Sequence, residues 1–116
     1  MTATARLTTA EVASVLVDAM GGTLIAALAG AKDRKLPYRW RSGAVAPRLE
    51  AEVHLRAALD AWWILTASDS EDTARAWFIG CNPHLGDAQP FMALREGRLR
   101  EVLAAARAFV SDGQAP

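Results

Sequence analysis

Residues 77–94 of this chain have the sequence Trp-Phe-Ile-Gly-Cys-Asn-Pro-His-Leu-Gly-Asp-Ala-Gln-Pro-Phe-Met-Ala-Leu. The pattern predicts a helix, a loop of about nine residues, and a second helix that opens on Pro90. Proline fits the first helical position because its missing amide would have no partner within the helix there. The pair Asn82-Pro83 favours the start of a turn, and Gly86 can adopt the left-handed conformation of a sharp reversal. We therefore expect the rest of the chain to pack around this stretch.

A resemblance to a known family is carried by positions in and just after this stretch: Trp77, Asn82, Pro83, Leu85, Gly86, Pro90, Leu94, Gly97, Val102 and Leu103. Together they resemble the toxin-binding domain of Xre/MbcA/ParS-type antitoxins, whose signature is Trp-Leu, Asn-Pro, Leu-Gly-Gly, Pro, Leu-Leu, Gly and Val-Leu. The resemblance covers roughly residues 71–110. It departs at Phe78, Asp87 and Ala93, where the family usually has Leu, Gly and Leu. The alternative interpretation is a generic helix–loop–helix.

Composition predicts an all-α fold in a chain of 116 residues, because alanine and leucine are abundant and isoleucine and tyrosine are scarce. A hydrophobic content of 52% with 22% charged residues is typical of a globular protein. We divide the chain into a helix-turn-helix-like part (1–46), a long connecting helix (47–67) and a three-helix toxin-binding part with a short tail (68–116). The net charge of zero argues against a surface that is uniformly adapted to nucleic acid.

The location predicted from the sequence is the cytoplasm, without membrane association. The single cysteine, Cys81, excludes an internal disulfide and suits a reducing compartment. The N-terminal residues lack an apolar signal core, and no apolar run reaches the ~18 residues of a membrane span.

Two short helices are expected before residue 31. Thr8 and Glu11 form a capping-box pattern at the start of the first helix, and Gly21-Gly22 predicts its end. Thr23 is then expected to cap a second helix that closes at Gly30.

Residues 32–48 contain six basic residues against one acid, a local net charge of +5 in a neutral chain. A short helix, a turn and a second, basic helix are typical of a helix-turn-helix. Its candidate DNA contacts are Arg34, Lys35, Arg39 and Arg41, which would neutralise phosphates or reach guanine edges. The element Tyr38-Arg39-Trp40-Arg41-Ser42-Gly43 resembles the end of the recognition helix in Xre-type repressors, where the Trp packs inward. Because Pro37 removes a helical hydrogen bond, this helix is predicted to be short or distorted at its start. The alternative is a solvated basic face.

The longest helix is predicted over residues 47–67. Trp62 and Trp63 are adjacent, and neighbouring helical side chains point about 100° apart, so one neighbour cannot cover both rings. This region is therefore expected to be buried on two sides, within the fold or in a homodimer, and a cofactor site is the less favoured alternative. The next helix is expected to begin with a capping box of Ser68 and Glu71. The tail, residues 111–116, is predicted to be a disordered end or an extension used by a partner.

Few residues suggest catalysis or metal binding. Cys81 and His84 have the spacing of two metal ligands, but a structural zinc site needs four, and the other histidine, His54, is predicted to lie in the middle of a helix with no carboxylate cluster near it in sequence. We therefore expect neither a metal site nor enzymatic activity. The alternative is a small enzyme that uses Cys81 and His84.

The resemblance implies an antitoxin that neutralises a neighbouring RES-domain toxin, a protein that consumes NAD, and that represses its own operon as part of a larger complex. The NAD chemistry would belong to the toxin, so no cofactor is expected here. The expected toxin contacts are Asn82, His84, Asp87, Arg98, Arg100 and Arg107, with Trp77 in the supporting core. The main alternative is a helix-turn-helix transcriptional regulator without a toxin partner.

Overall fold

A computed structural model describes residues 3–114. It contains a 3-10 helix Ala3–Arg6, α1 (Thr9–Met20), α2 (Gly22–Ala29), α3 (Leu36–Arg41), α4 (Leu49–Thr66), α5 (Glu71–Ile79), a second 3-10 helix Pro83–Leu85, α6 (Pro90–Arg95) and α7 (Leu99–Gln114). The predicted all-α class is confirmed, since no strand occurs within these residues. None of the helices in this part of the chain is both long and apolar enough to cross a membrane.

Helix α4, and not the stretch 77–94 around which the chain was expected to pack, is the central element of the fold. It packs against α1, α2, α5, α6, α7 and the first 3-10 helix. Its buried face alternates leucines with alanines such as Ala58 and Ala61, and these small side chains let the surrounding helices approach closely. Trp62 is buried by the chain itself, and Trp63 packs partly against the same core. The three sequence segments share one hydrophobic cluster, which extends from Val12 to Ala106.

The capping box at the start of α1 forms as predicted. The Thr8 amide donates to Glu11 Oε1 (2.8 Å), and the Glu11 amide donates to Thr8 Oγ1 (3.1 Å). The predicted Thr23 cap of the next helix is wrong. Gly21, at φ 85°, turns the chain at once, so α2 already begins at Gly22 without a side-chain cap.

Helix α3 is short, as Pro37 predicts. It has six residues and a length of about 9 Å, with Pro37 in its first turn. Trp40 is buried, in agreement with the expectation that it packs inward. Residues 30–35 connect α2 to α3. A helix-turn-helix arrangement of these elements stays a prediction.

The predicted capping box of Ser68 and Glu71 is wrong. The amides of Ser68 and Asp69 both donate to the Leu65 carbonyl, so these residues finish the end of α4. Ser70 caps α5 instead, because its Oγ accepts the Thr73 amide at 3.1 Å. Of the two alternatives for the tail, a disordered end is wrong for residues 111–114, and an extension used by a partner stays a prediction. Helix α7 continues to Gln114, and residues 115–116 lie outside the described residues.

Candidate functional site

The loop between α5 and α6 is closed by hydrogen bonds that converge on Asn82. The Asn82 carbonyl accepts the amides of Leu85 and Asp87, both at 2.9 Å, and its own amide donates to the Ala88 carbonyl at 3.1 Å. Its side-chain Oδ1 accepts the His84 amide at 2.9 Å. Asn82 is buried, so this predicted toxin contact holds the loop in shape and is not a free polar group at the surface.

Two consecutive residues of this loop lie in the left-handed region. Gly86 has φ 64° and Asp87 has φ 67°. Among the described residues, Asp87 is the one non-glycine residue with a positive φ. It occupies the position at which the resembled family usually has its second glycine, and that residue type removes the steric cost of this conformation. The exposed Asp87 carboxylate is thus displayed on a strained turn.

Beneath the loop lies a tightly packed base of Trp77, Phe78, Leu85 and Leu94, all of them buried. The rings of Trp77 and Phe78 meet edge to face, with centroids 5.2 Å apart. The Trp77 Nε1–H is buried without a hydrogen-bond partner among the described residues.

Arg98 braces the loop from the start of α7. Its Nη2 donates to the Leu85 carbonyl at 3.2 Å and to Glu101 Oε2 at 2.7 Å, and its Nε donates to the same carboxylate oxygen at 3.0 Å. These hydrogen bonds lower the pKa of the Glu101 carboxylate and raise that of Arg98. Although the sequence predicts Arg98 as a toxin contact, its guanidinium is already engaged within the chain.

Four of the predicted toxin contacts remain exposed: His84, Asp87, Arg100 and Arg107. His84 Nε2 lies 4.0 Å from Asp112 Oδ2, which brings the end of α7 against the loop. Arg100 and Arg107 are two turns apart on one face of α7 and pair with no other described residue. We group these four side chains with the end of α7 as one candidate partner region, here called the loop surface; Arg100 and Arg107 lie on the opposite side of α7 from Arg98, which contacts the loop.

In residues 32–48, here called the basic segment, some basic side chains are exposed and one pairs with other residues of the chain. Arg34, Lys35 and Arg39 are exposed. Arg41 instead donates from Nη2 to Ser14 Oγ at 3.1 Å and lies 3.0 Å from Asp18 Oδ1. The sequence groups Arg41 with the DNA contacts, whereas the structure uses it to join α3 to α1.

Sequence reasoning missed a cleft of about 400 Å³ beside this basic segment. Lys32, Arg48, His54 and Arg95 line it, and Arg95 lies far from the other three in the chain. The local signal in the sequence was His54, a polar residue between Val53 and Leu55 near the middle of the predicted long helix. By contrast, the structure gathers no group of three or more His, Cys, Asp and Glu side chains that could hold a metal within residues 3–114.

No protein-family model, curated protein or solved structure matches this chain. What the chain does is therefore inferred from its residues and their geometry.

Proposed function

We propose that this protein is an antitoxin that binds and neutralises a RES-type, NAD-consuming toxin through the loop surface. The observation that carries the proposal is the loop itself. The residues of the resemblance have consistent structural roles: Asn82 closes the loop, Pro90 opens α6, and the position of the family's second glycine has a positive φ. A loop that is ordered before binding is recognised with little loss of conformational entropy.

The chemistry of the loop surface suits recognition and blocking. His84 and Asp87 offer hydrogen-bonding groups on the loop, and Arg100 and Arg107 offer positive charge on α7. None of these four is buried in the core, so each can contact a partner without unfolding the antitoxin. Arg107 and the last turn of α7 are the proposed blocking elements.

The second part of the proposal is repression of the antitoxin's own operon. Its support is the exposed cluster of Arg34, Lys35 and Arg39, which can neutralise DNA phosphates. Arg41 is withdrawn from the proposed contacts because its guanidinium pairs with Asp18. The same cluster also supports the alternative function, a transcriptional regulator with no toxin partner. DNA binding by these three side chains would not require any contact at the loop surface.

A homodimer is proposed because operators are commonly read as two half-sites. Trp62 gives no reason for a second copy, since the chain buries it, but Trp63 stays partly exposed and Leu49 is 77% exposed on the same helix. Sedimentation velocity of the full chain at micromolar concentration tests this. A monomer at that concentration would exclude the dimer.

Co-expression with a RES-type toxin encoded beside this chain tests the antitoxin proposal. We expect full-length protein to restore growth and cellular NAD, and Arg107→Glu to reduce that protection while keeping the wild-type melting temperature. Arg39→Ala is the matched control on the basic segment and should protect fully. Full-length substitutions are used because a fragment of residues 68–116 would lose its packing against α4.

Two outcomes would reject the proposal. One is wild-type protein that neither binds nor neutralises the neighbouring toxin. The other is protection that Arg39→Ala abolishes and Arg107→Glu leaves intact. DNA binding without any toxin binding would favour the regulator.

A further inference from the structure

The cleft of about 400 Å³ lies between the α2–α3 loop, α3, the α3–α4 loop and the first half of α4. Its apolar lining includes Leu36, Trp40, Val45 and Ala51. This volume is within the usual range for small-molecule sites, about 300–1,000 Å³, and such sites are mostly apolar with a few placed polar groups. The cleft has both features.

Two side chains at the cleft each carry a ring nitrogen that has no hydrogen-bond partner among the described residues. Trp40 and His54 line it, and 4% and 5% of their surfaces are exposed. His54 Nδ1 lies 3.2 Å from the Leu28 carbonyl, which can only accept, so Nδ1 carries the hydrogen. His54 Nε2 and Trp40 Nε1 have no partner among the described residues. Among residues 3–114, Trp77 Nε1 is the one side-chain nitrogen or oxygen that is both shielded from solvent and without a partner. The two ring nitrogens of Trp40 and His54 therefore keep some contact with solvent.

Three cationic side chains line the same cleft: Lys32, Arg48 and Arg95. Lys32 and Arg48 make no ion pair with any described residue, and Arg95 donates from Nη1 to the Ala27 carbonyl at 3.2 Å, which leaves other guanidinium N–H groups open. Glu50 is the single acidic residue of the lining. The surroundings therefore favour a negative charge.

We infer that this cleft binds a small organic anion with a flat apolar body. The body would lie among Leu36, Val45 and Ala51, beside the buried Trp40, and its carboxylate or phosphate would pair with Lys32, Arg48 and Arg95. Trp40 Nε1–H can donate a further hydrogen bond to the ligand, and His54 Nε2 can accept one when the ring is neutral. A metal cation is disfavoured by the three positive charges. A DNA backbone would leave the apolar floor unfilled.

This inference does not rest on the proposed antitoxin function, because it concerns residues outside the loop surface. It is tested by titrating the full-length chain with 2-naphthoate, 2-naphthyl phosphate and the neutral 2-naphthamide, with acetate as the anion without an apolar body. Calorimetry measures Kd, and the assigned ¹H–¹⁵N spectrum locates the site. We expect at least one naphthalene anion to bind and to shift the Trp40 indole resonance. The amide and acetate should bind at least about tenfold more weakly, the factor that corresponds to one charged hydrogen bond.

Three variants make the test specific. Arg48→Gln removes a rim charge and should weaken binding by about tenfold. Ala51→Leu fills the cleft from α4 and should abolish binding. Arg100→Gln removes an exposed charge from α7, outside the cleft, and should leave Kd unchanged. Melting temperatures confirm that each variant is folded.

The inference is overturned if neither naphthalene anion binds at low millimolar concentration, or if the amide binds as well as the anions. It is also overturned if binding survives both Arg48→Gln and Ala51→Leu, because the ligand would then lie elsewhere. Binding of only one anion supports the site and identifies the group that the rim prefers.

Discussion

Arg41 and Asp18 form an ion pair, with 3.0 Å between Nη2 and Oδ1, that joins α3 to α1. The same guanidinium nitrogen donates to Ser14 Oγ. The most basic segment of the chain therefore contains one arginine that maintains the fold, next to arginines that are exposed. The exposed arginines and the paired Arg41 lie close together in sequence but have different contacts. Substituting them one at a time can therefore separate a DNA-binding role from a structural one.

Arg39→Ala and Arg41→Ala are expected to differ in kind. Arg39→Ala should weaken binding to the DNA upstream of the gene and reduce the salt slope by about one phosphate equivalent, with no change in melting temperature. Arg41→Ala should cost about 0.5–1 kcal/mol of stability, since its partly exposed ion pair is screened by solvent. Filter binding at several salt concentrations and thermal melting measure both effects. DNA binding that ignores Arg39→Ala would identify the basic segment as a solvated face.

Asp87→Gly is expected to stabilise the protein. The left-handed conformation costs a non-glycine residue about 1–2 kcal/mol, and glycine avoids this cost. Glycine also loses more backbone entropy on folding, which offsets part of the stabilisation. We expect a net gain of about 0.5–1 kcal/mol, or a few degrees in melting temperature. Gly86→Ala is the control, because a Cβ there meets no atom within 4 Å and only the backbone is strained. It should destabilise; equal melting temperatures for all three proteins would contradict the strained turn.

Asn82→Ala is expected to loosen the loop. It removes the acceptor of the His84 amide, and loss of a side-chain cap costs about 0.5–2 kcal/mol. Asn82→Asp keeps an acceptor oxygen at the same place and should cost less. Denaturant unfolding gives the stabilities, and amide hydrogen exchange at His84 shows whether the loss is local. Faster exchange in Asn82→Asp than in Asn82→Ala would be inconsistent with the capping role.

Acid should weaken the Arg98 brace. Hydrogen bonds from Arg98 hold the pKa of Glu101 below its ordinary value of 4.5, so the ionised carboxylate stabilises the fold above that pH. The stabilisation is lost as the pH falls through the lower, folded-state pKa. The difference in melting temperature between wild type and Glu101→Gln should therefore be largest near neutrality and shrink in acid. In an Arg98→Gln background this pH dependence should disappear. A difference that stays constant with pH would contradict the coupling.

Helix caps and helix lengths could be predicted from sequence where one short residue pattern alone determines the geometry. Thr8 caps α1, and Pro37 shortens α3, because the required partners lie within a few residues. Ser68 misled because the end of α4 competes for the same amides, and a pattern for one helix does not show the needs of the preceding one. The braces were not predictable at all. Arg75 donates to the Ala19 carbonyl, 56 residues away, and only the fold brings the two together. The cleft was missed for the same reason.

Trp77 Nε1–H, which has no hydrogen-bond partner within residues 3–114, makes the base of the loop observable by spectroscopy. Its proton is shielded from water by burial and not by a hydrogen bond, so it can exchange for deuterium only when the packing around the indole opens. Its exchange lifetime thus records how often the helix–loop–helix breathes. A partner that binds the outer side of the loop would lengthen this lifetime without contacting the indole. The Trp77 indole resonance would therefore report binding that occurs away from it.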